Sequence, residues 1–255
     1  MTAAAAGAKV RVDISHRYGE LLVYEKLDLA VRENEFVCIC GPSGCGKTTL
    51  LDLFAGIMKP STGEVLIDGT PADPKKHNIS FVFQEASMLP WLNVRDNVAT
   101  GLRIKKRPGA EVARKVEETL ALVGLTGFEG YYAHQLSGGM KQRVAIARAF
   151  ATDADLILMD EPFVSLDQPT REKMQREVLD IWARRRRTVV FVTHNLEEAV
   201  FLGDRVVILS GKPTRIVADL EVNLPRPRDP VSEEFTRLRA HCAQMLHAIH
   251  GGPDE

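Results

Sequence analysis

Alternation opens the chain. Val10, Val12 and Ile14 are separated by Arg11, Asp13 and Ser15, the period of a half-buried strand, and Leu27, Leu29 and Val31 repeat it. Phe36-Val-Cys-Ile-Cys40 is a continuous apolar run ending in Gly41, the pattern of a strand buried on both faces. Residues 64–68 form another short strand with Asp68-Gly69 as its turn, and residues 79–83 a further one. From about residue 93 to 154 the period becomes helical: Val112, Val116, Leu120 and Val123 share a face, and Gly124 is a stop. Strands return at 156–159, 188–192 and 205–209, with helical stretches at 168–185 and 195–202 between them. Strands alternating with helices predict an α/β domain with a largely parallel sheet, the middle segment entering it as a helical insertion. A Pro-rich stretch, Leu224-Pro-Arg-Pro-Arg-Asp-Pro230, ends the core. Beyond it Val231, Phe235, Leu238, Met245, Leu246 and Ile249 make the stripe of a terminal helix packed on its own domain.

Composition narrows the classes. The 255 residues are 45% hydrophobic and 26% charged, ordinary globular values that exclude disorder, collagen and coiled coil for the bulk of the chain. With 33 Lys+Arg against 34 Asp+Glu there is no basic excess to serve general nucleic-acid binding. The 4 cysteines show no paired spacing, which points to a reducing compartment. No run approaches the ~18 apolar residues of a membrane span. The start, Met1-Thr-Ala-Ala-Ala-Ala-Gly-Ala, has no secretory pattern and reads as a frayed tail of a cytosolic protein.

Gly41-Pro-Ser-Gly-Cys-Gly-Lys-Thr48 fits G-x-x-x-x-G-K-[ST] at every position, after a strand and before a helix. Glycines let successive N–H groups face a phosphate oxygen, and the helix that follows points its positive end at the same anion. Lys47 reaches the β and γ phosphates, and the Thr48 hydroxyl is a Mg²⁺ ligand. Leu156-Ile-Leu-Met-Asp-Glu161 ends an apolar strand in two carboxylates, where such sheets bind ligands. Asp160 is placed to hold Mg²⁺ through water and Glu161 to polarise an attacking water. Cys40 and Cys45 lack the further Cys or His that a metal site needs, so they read as small residues tolerated beside a phosphate cradle.

In Leu136-Ser-Gly-Gly-Met-Lys-Gln-Arg143, Ser137 is a helix cap and the glycines allow close approach to an anion. This segment closely resembles the signature of ABC-transporter ATPase subunits, and the other motifs of that family follow in order. Tyr18 in His16-Arg-Tyr-Gly19 resembles the aromatic group that stacks on adenine. Gln84 resembles the glutamine that senses Mg²⁺ and the transport partner. Ser165-Leu-Asp167 is similar to the loop crossing the dimer interface, and His194 resembles the switch histidine at the γ-phosphate. Met140 stands where Gln is commoner, and Val164-Ser165 replaces a more usual small pair; neither removes a phosphate ligand.

The resemblance implies an α/β P-loop NTPase core of the ABC type, with an antiparallel β subdomain and an inserted helical subdomain. It covers the chain from about Val10 to Leu220 and implies an ATP-binding domain at 8–240, its helical part at about 85–155, with 241–255 as a helix end and tail. It implies an ATPase using ATP and Mg²⁺ with Glu161, His194 and Lys47 as catalytic residues. ATP would be held by Tyr18, Gly41, Pro42, Ser43, Gly44, Cys45, Gly46, Lys47, Thr48, Thr49 and Gln84. Ser137, Gly138, Gly139 and Asp167 would reach it in trans, and Thr48, Gln84 and Asp160 would serve the metal. Implied partners are a second copy arranged head to tail, a membrane permease and a solute-binding protein, with the chain peripheral on the cytoplasmic face. Gln84-Glu-Ala-Ser-Met-Leu-Pro-Trp91, Asn93-Val-Arg-Asp-Asn97, Asp160-Glu-Pro-Phe163 and Leu224-Pro-Arg-Pro-Arg228 are similar to ATPases that energise import of nitrate, taurine, alkanesulfonate or bicarbonate.

Other classes fit less well. A DNA-repair ATPase of this type needs a long coiled-coil insertion, and only 90 residues separate Lys47 from Ser137. Translation-type members usually carry two cassettes, and a P-loop small-molecule kinase leaves residues 136–143 unexplained. A soluble non-transport ATPase stays the alternative. Met88-Leu-Pro-Trp91, a run of large apolar groups between polar neighbours, reads as a permease socket or as a cap on the helical subdomain's own core. The basic runs 184–187 and 105–107 read as solvated helix ends rather than lipid contacts.

Overall fold

The computed structural model describes residues 7–247; the first six residues of the expected frayed start, and Ile249 of the apolar stripe, lie outside the described residues. These fall into two compact units, 7–77 with 187–247, and 78–186. Elements are numbered in chain order.

The first unit holds an antiparallel sheet in the order β2 (Leu21–Arg32), β1 (Ala8–Tyr18), β4 (Thr62–Ile67), β5 (Thr70–Pro71). The alternation of β1 sends Val10, Val12 and Ile14 inward and fully buries them. Beside it β3 (Phe36–Cys40) lies between β8 (Thr188–Thr193) and β9 (Arg205–Leu209), parallel to both, and β10 (Ile216–Glu221) adds antiparallel to β9. All five residues of β3 are buried. Each such aliphatic or aromatic side chain is worth roughly 1.5–3 kcal/mol against exposure, which explains the unbroken apolar run of a central strand. Arg205 ties the two sheets together: it donates to the Ala30 carbonyl at 2.5 Å and pairs with Glu35 at 3.3 Å and Asp219 at 3.0 Å.

Three helices belong to this unit: α1 (Lys47–Phe54), α6 (Leu196–Leu202) and α7 (Glu233–His247). The end of α6 is closed from far along the chain. Arg228 is buried and donates to the carbonyls of Val200 (2.7 Å), Phe201 (3.1 Å) and Gly203 (2.6 Å). Arg226 takes the Leu202 carbonyl and pairs with Asp204. A helix leaves its last carbonyls without partners and its negative end favours cations, so two guanidinium groups answer both needs. Burial lowers the Arg228 pKa to about 10, still charged at neutral pH. The Pro-rich stretch therefore reaches into the core rather than merely following it. In α7, Phe235 and Cys242 are the buried positions, Leu238, Met245 and Leu246 are half-buried, and Val231 lies before the helix and is exposed.

The second unit pairs β6 (Ile79–Val82) in parallel with β7 (Leu156–Asp160) and adds α2 (Val94–Ile104), α3 (Gly109–Leu122), α4 (Gly138–Ala151) and α5 (Gln168–Arg185). Gly124, at φ 66°, ends the α3 segment as its position demands. The basic runs are not simply solvated. Arg185 donates to the Phe150 carbonyl at 3.0 Å and pairs with Asp153 at 3.1 Å, and Lys105 donates to the Thr152 carbonyl at 3.3 Å. Both close the C-terminal turn of α4. Arg186 instead stacks its guanidinium 4.5 Å from the centre of the Trp182 ring.

Candidate functional site

In the first unit the glycine-rich loop runs from the end of β3 into α1. The loop is crowded at two glycine positions. A Cβ on Gly46 would stand 2.7 Å from Val23 and 2.8 Å from the Tyr24 hydroxyl, and its φ of 107° belongs to glycine. A Cβ on Gly41 would meet Cys45 Sγ at 2.9 Å and Leu209 at 3.1 Å. Gly46 also caps α1 without a side-chain bond, so the first N–H groups of the helix face the loop. Ser43, Gly44 and Thr48 are exposed, while Pro42 and Thr49 are half-buried. Lys47 is buried, its ammonium donating to the carbonyls of Gly41 (2.9 Å) and Pro42 (3.0 Å). Cys45 is buried and burial raises its thiol pKa, so it is not a ready thiolate. Among the described residues no group of three His, Cys, Asp or Glu is placed to hold a metal.

β3 and β8 are in register, Cys40 against Thr193, so the loop and His194 leave the same sheet edge side by side. His194 is exposed and its neighbours are fixed: Asn195 caps α6 by accepting from the amides of Glu197 (2.9 Å) and Glu198 (3.4 Å). Tyr18 closes β1. Its ring is 46% exposed, its hydroxyl donates to Met58 Sδ at 3.1 Å, and His16 meets it edge-on at 4.8 Å.

In the second unit β6 and β7 pair Val82 with Met159. Gln84, two residues past the first, and Asp160 and Glu161, just past the second, therefore leave one edge together. β6 stops at Val82, one residue short of the expected Phe83, whose ring stacks on Phe81 at 4.3 Å. Gln84 is exposed, Asp160 buried and Glu161 half-buried. Glu161 has φ 42°, a left-handed conformation that costs a non-glycine residue about 1–3 kcal/mol and gathers at functional sites.

Ser137 caps α4, its Oγ accepting from the Met140 amide at 3.3 Å. Ser137 and Gly138 are exposed at that helix start. Gly139 lies close to the loop before α5: a Cβ there would approach Thr170 at 3.2 Å and Leu166 at 3.8 Å. Asp167 in that loop caps α5, accepting from the Thr170 amide at 3.1 Å, and this bond lowers its pKa. The signature and Asp167 are thus brought together within the unit.

Several supporting residues escaped the sequence. Asn97 is fully buried and binds the 89–93 segment four times: Leu89 N donates to it at 2.8 Å, and it donates to the carbonyls of Leu89 (3.1 Å), Leu92 (2.9 Å) and Asn93 (3.0 Å). Arg148 of α4 holds Ser87 by carbonyl and hydroxyl, at 2.7 and 2.9 Å. On the loop so fixed, Met88 is buried, Leu89 half-buried and Trp91 71% exposed. Besides its place in Asn93-Val-Arg-Asp-Asn97, a polar residue inside the apolar face of α2 was the signal for Asn97.

Residues 24–164 match the ABC transporter family. An uncharacterised ABC transporter ATP-binding protein of Methanocaldococcus jannaschii is 46% identical over 87% of this chain and 83% of its own. An aliphatic sulfonates import ATP-binding protein of Bacillus thuringiensis subsp. konkukian is 42% identical over 93% of both. Among solved structures, a dimeric ATP-binding cassette in a post-hydrolysis state bound to ADP and Pi superposes with a TM-score of 0.74 at 33% identity, over 85% of this chain and 100% of that one. A cassette of Clostridium perfringens, part of an ABC transporter complex, shares the fold at TM-score 0.78 and 22% identity, over 96% of this chain and 99% of that one.

Proposed function

The chain belongs to the ABC transporter family and is an ATPase of it, and from that premise we propose that it energises import of a small organic sulfonate or a related anion. The observation that carries the ATPase reading furthest is the loop at the end of β3. Exposed Ser43, Gly44 and Thr48 and the uncapped start of α1 offer N–H and hydroxyl donors to a phosphate, with Lys47 behind them. The relatives named for aliphatic sulfonates favour a sulfonate over nitrate or bicarbonate.

In this reading Tyr18 stacks on adenine, and residues 41–49 hold the phosphates. Lys47 exchanges its two carbonyl partners for phosphate oxygens, a stronger charge-assisted pairing. Thr48, Gln84 and Asp160 are oxygen donors of the kind Mg²⁺ takes, and that ion keeps several waters and substrate oxygens, so no carboxylate cage is required. When bound, the ion neutralises charge on the β and γ phosphates. Glu161 accepts a proton from the attacking water, and His194 donates to the γ-phosphate. Ser137, Gly138, Gly139 and Asp167 act on the nucleotide of a second copy arranged head to tail. ATP then favours the closed pair and hydrolysis releases it, a population shift driven by differential affinity. The chain works on the cytoplasmic face, docked to a permease through the loop carrying Leu89 and Trp91 and served by a solute-binding protein.

The test is reconstitution with its permease and solute-binding protein in proteoliposomes. Alkanesulfonate uptake that needs internal ATP and Mg²⁺ supports the reading. Uptake of nitrate alone replaces the solute; ATPase activity indifferent to any permease favours a soluble non-transport ATPase.

A further inference from the structure

Two side chains outside every nucleotide motif hold the phosphate loop by its carbonyls. Tyr24 lies on β2, and Thr214 lies between β9 and β10. Their backbones form a parallel bridge, and the Thr214 amide donates to Val23 O at 2.7 Å. Both side chains are fully buried. Tyr24 Oη donates to the Gly46 carbonyl at 2.5 Å, and Thr214 Oγ1 to the Cys45 carbonyl at 2.5 Å.

A buried hydroxyl needs a partner, but the choice of partner here has a consequence for the opposite side of each peptide. A trans peptide is planar, so its C=O and N–H point in opposite directions. The Cys45 carbonyl shares a plane with the Gly46 N–H, and the Gly46 carbonyl shares one with the Lys47 N–H. Anchoring these carbonyls in the protein aims two successive N–H groups away from it. Successive N–H groups at a helix start are an anion cradle. The Gly46 carbonyl also accepts from the Leu50 amide at 2.9 Å, so helix and phenol hold the second plane together. The φ of 107° at Gly46 sets the angle between the two planes. Burial, with Cys45 and Tyr18 as lesser causes, holds the Tyr24 phenol far above its ordinary pKa, so it remains a donor.

We infer that Tyr24 and Thr214 are positioning residues for the nucleotide phosphates, fixing the direction of the Gly46 and Lys47 N–H groups without touching the nucleotide. This rests on the reading of the loop as an ATP site. Freed of either bond, a peptide plane must be ordered when phosphate arrives, and affinity falls by that cost.

The experiment compares Tyr24→Phe, Thr214→Val, Thr214→Ser and Lys47→Ala. Each protein is titrated with ATP and with inorganic tripolyphosphate, melted without ligand, and assayed for turnover. Tyr24→Phe and Thr214→Val are each expected to raise Kd for ATP about fivefold, the fold-change of one neutral hydrogen bond. Tripolyphosphate should weaken in parallel because the base is not involved. KM should rise with kcat little changed, the mark of lost uniform binding. Thr214→Ser, which keeps the hydroxyl, should bind like the wild type. A lower Tm with unchanged Kd in the Phe and Val variants overturns the positioning role and leaves a structural one. If Thr214→Val does not fold, Tyr24→Phe decides alone. Lys47→Ala separates the two levels: if it too binds ATP normally, the ATP reading of the loop fails; if it alone loses binding, only the role of the two hydroxyls fails.

Discussion

The hydroxyl of Thr193 donates to the Glu198 carboxylate at 2.7 Å, across the residue expected to sense the γ-phosphate. The same hydroxyl accepts from the Asn195 amide at 3.0 Å, so the residues on both sides of His194 are pinned while its ring is exposed. His194→Ala should lower kcat by about 10²-fold, the usual loss when one donor to a developing charge is removed, with ATP affinity nearly kept. Steady-state ATPase against nucleotide titration checks it. Wild-type turnover in the variant would remove His194 from the chemistry.

Glu161→Gln keeps size and the left-handed backbone but cannot take a proton. Turnover should fall by about 10²–10⁴-fold while ATP still binds and holds two copies together. Size-exclusion chromatography with ATP should show the dimer. Lys47→Ala should instead weaken ATP binding by tenfold or more, about the worth of one charge-assisted bond. Hydrolysis at the normal rate by Glu161→Gln would move the base elsewhere.

A stacking ring acts through its π face. Tyr18→Phe and Tyr18→Trp should bind ATP almost normally, although Phe forgoes the hydroxyl's bond to Met58. Tyr18→Ala should lose roughly 1–3 kcal/mol of binding. Unchanged ATP affinity in the Ala variant means another group holds the base.

His16 is buried with both ring nitrogens unbonded among the described residues, and burial lowers its pKa. The unfolded chain, near the ordinary value of about 6.5, then binds more protons than the folded one as pH falls. The stability His16 confers as a neutral ring is fully present above that value and is lost as pH drops below it, down to the folded pKa. His16→Phe keeps the edge-on contact and should flatten this slope. Urea midpoints at pH 7.5 and 5.5 measure it; an equal pH dependence in both proteins would locate the titration elsewhere.

The loop around Trp91 separates surface from core. Trp91→Asp should stay folded and bind ATP yet fail to co-purify with the permease, and Leu89→Asp, half-buried, should do the same with a modest loss of Tm. Met88→Asp, which buries a charge, should melt far below the wild type. If Trp91→Asp also melts early, Trp91 belongs to the core of its unit; if it still co-purifies, the socket lies elsewhere.

How much of this was written in the chain depends on how local each signal is. The helix α5 was legible to the residue, because Asp167 caps it and Pro169 sits in its first turn. The strand β10 was not: Ile216, Ala218 and Leu220 alternate with Val217, Asp219 and Glu221, but Val217 blurs the polar side and Ala218 adds little apolar weight. The motifs expected to bind nucleotide are contiguous stretches, visible as sequence patterns. Their supports are not contiguous. Thr214 meets Cys45 across 169 residues, and Arg228 reaches carbonyls, which any residue supplies, so no side-chain pattern betrays either.

The two arginines that close α6 bear on where the protein is cut. A chain shortened after Glu221, where the last strand ends, keeps every strand of the first unit. It also strips four successive carbonyls, Val200 to Gly203, of the guanidinium partners they have in the intact fold. The helix that loses its seal begins two residues after His194, so damage done at the far end of the chain arrives beside that residue. A stretch that looks like a linker is thus part of the folded body of the first unit, whose helix α6 is closed only in a chain that extends through Arg228.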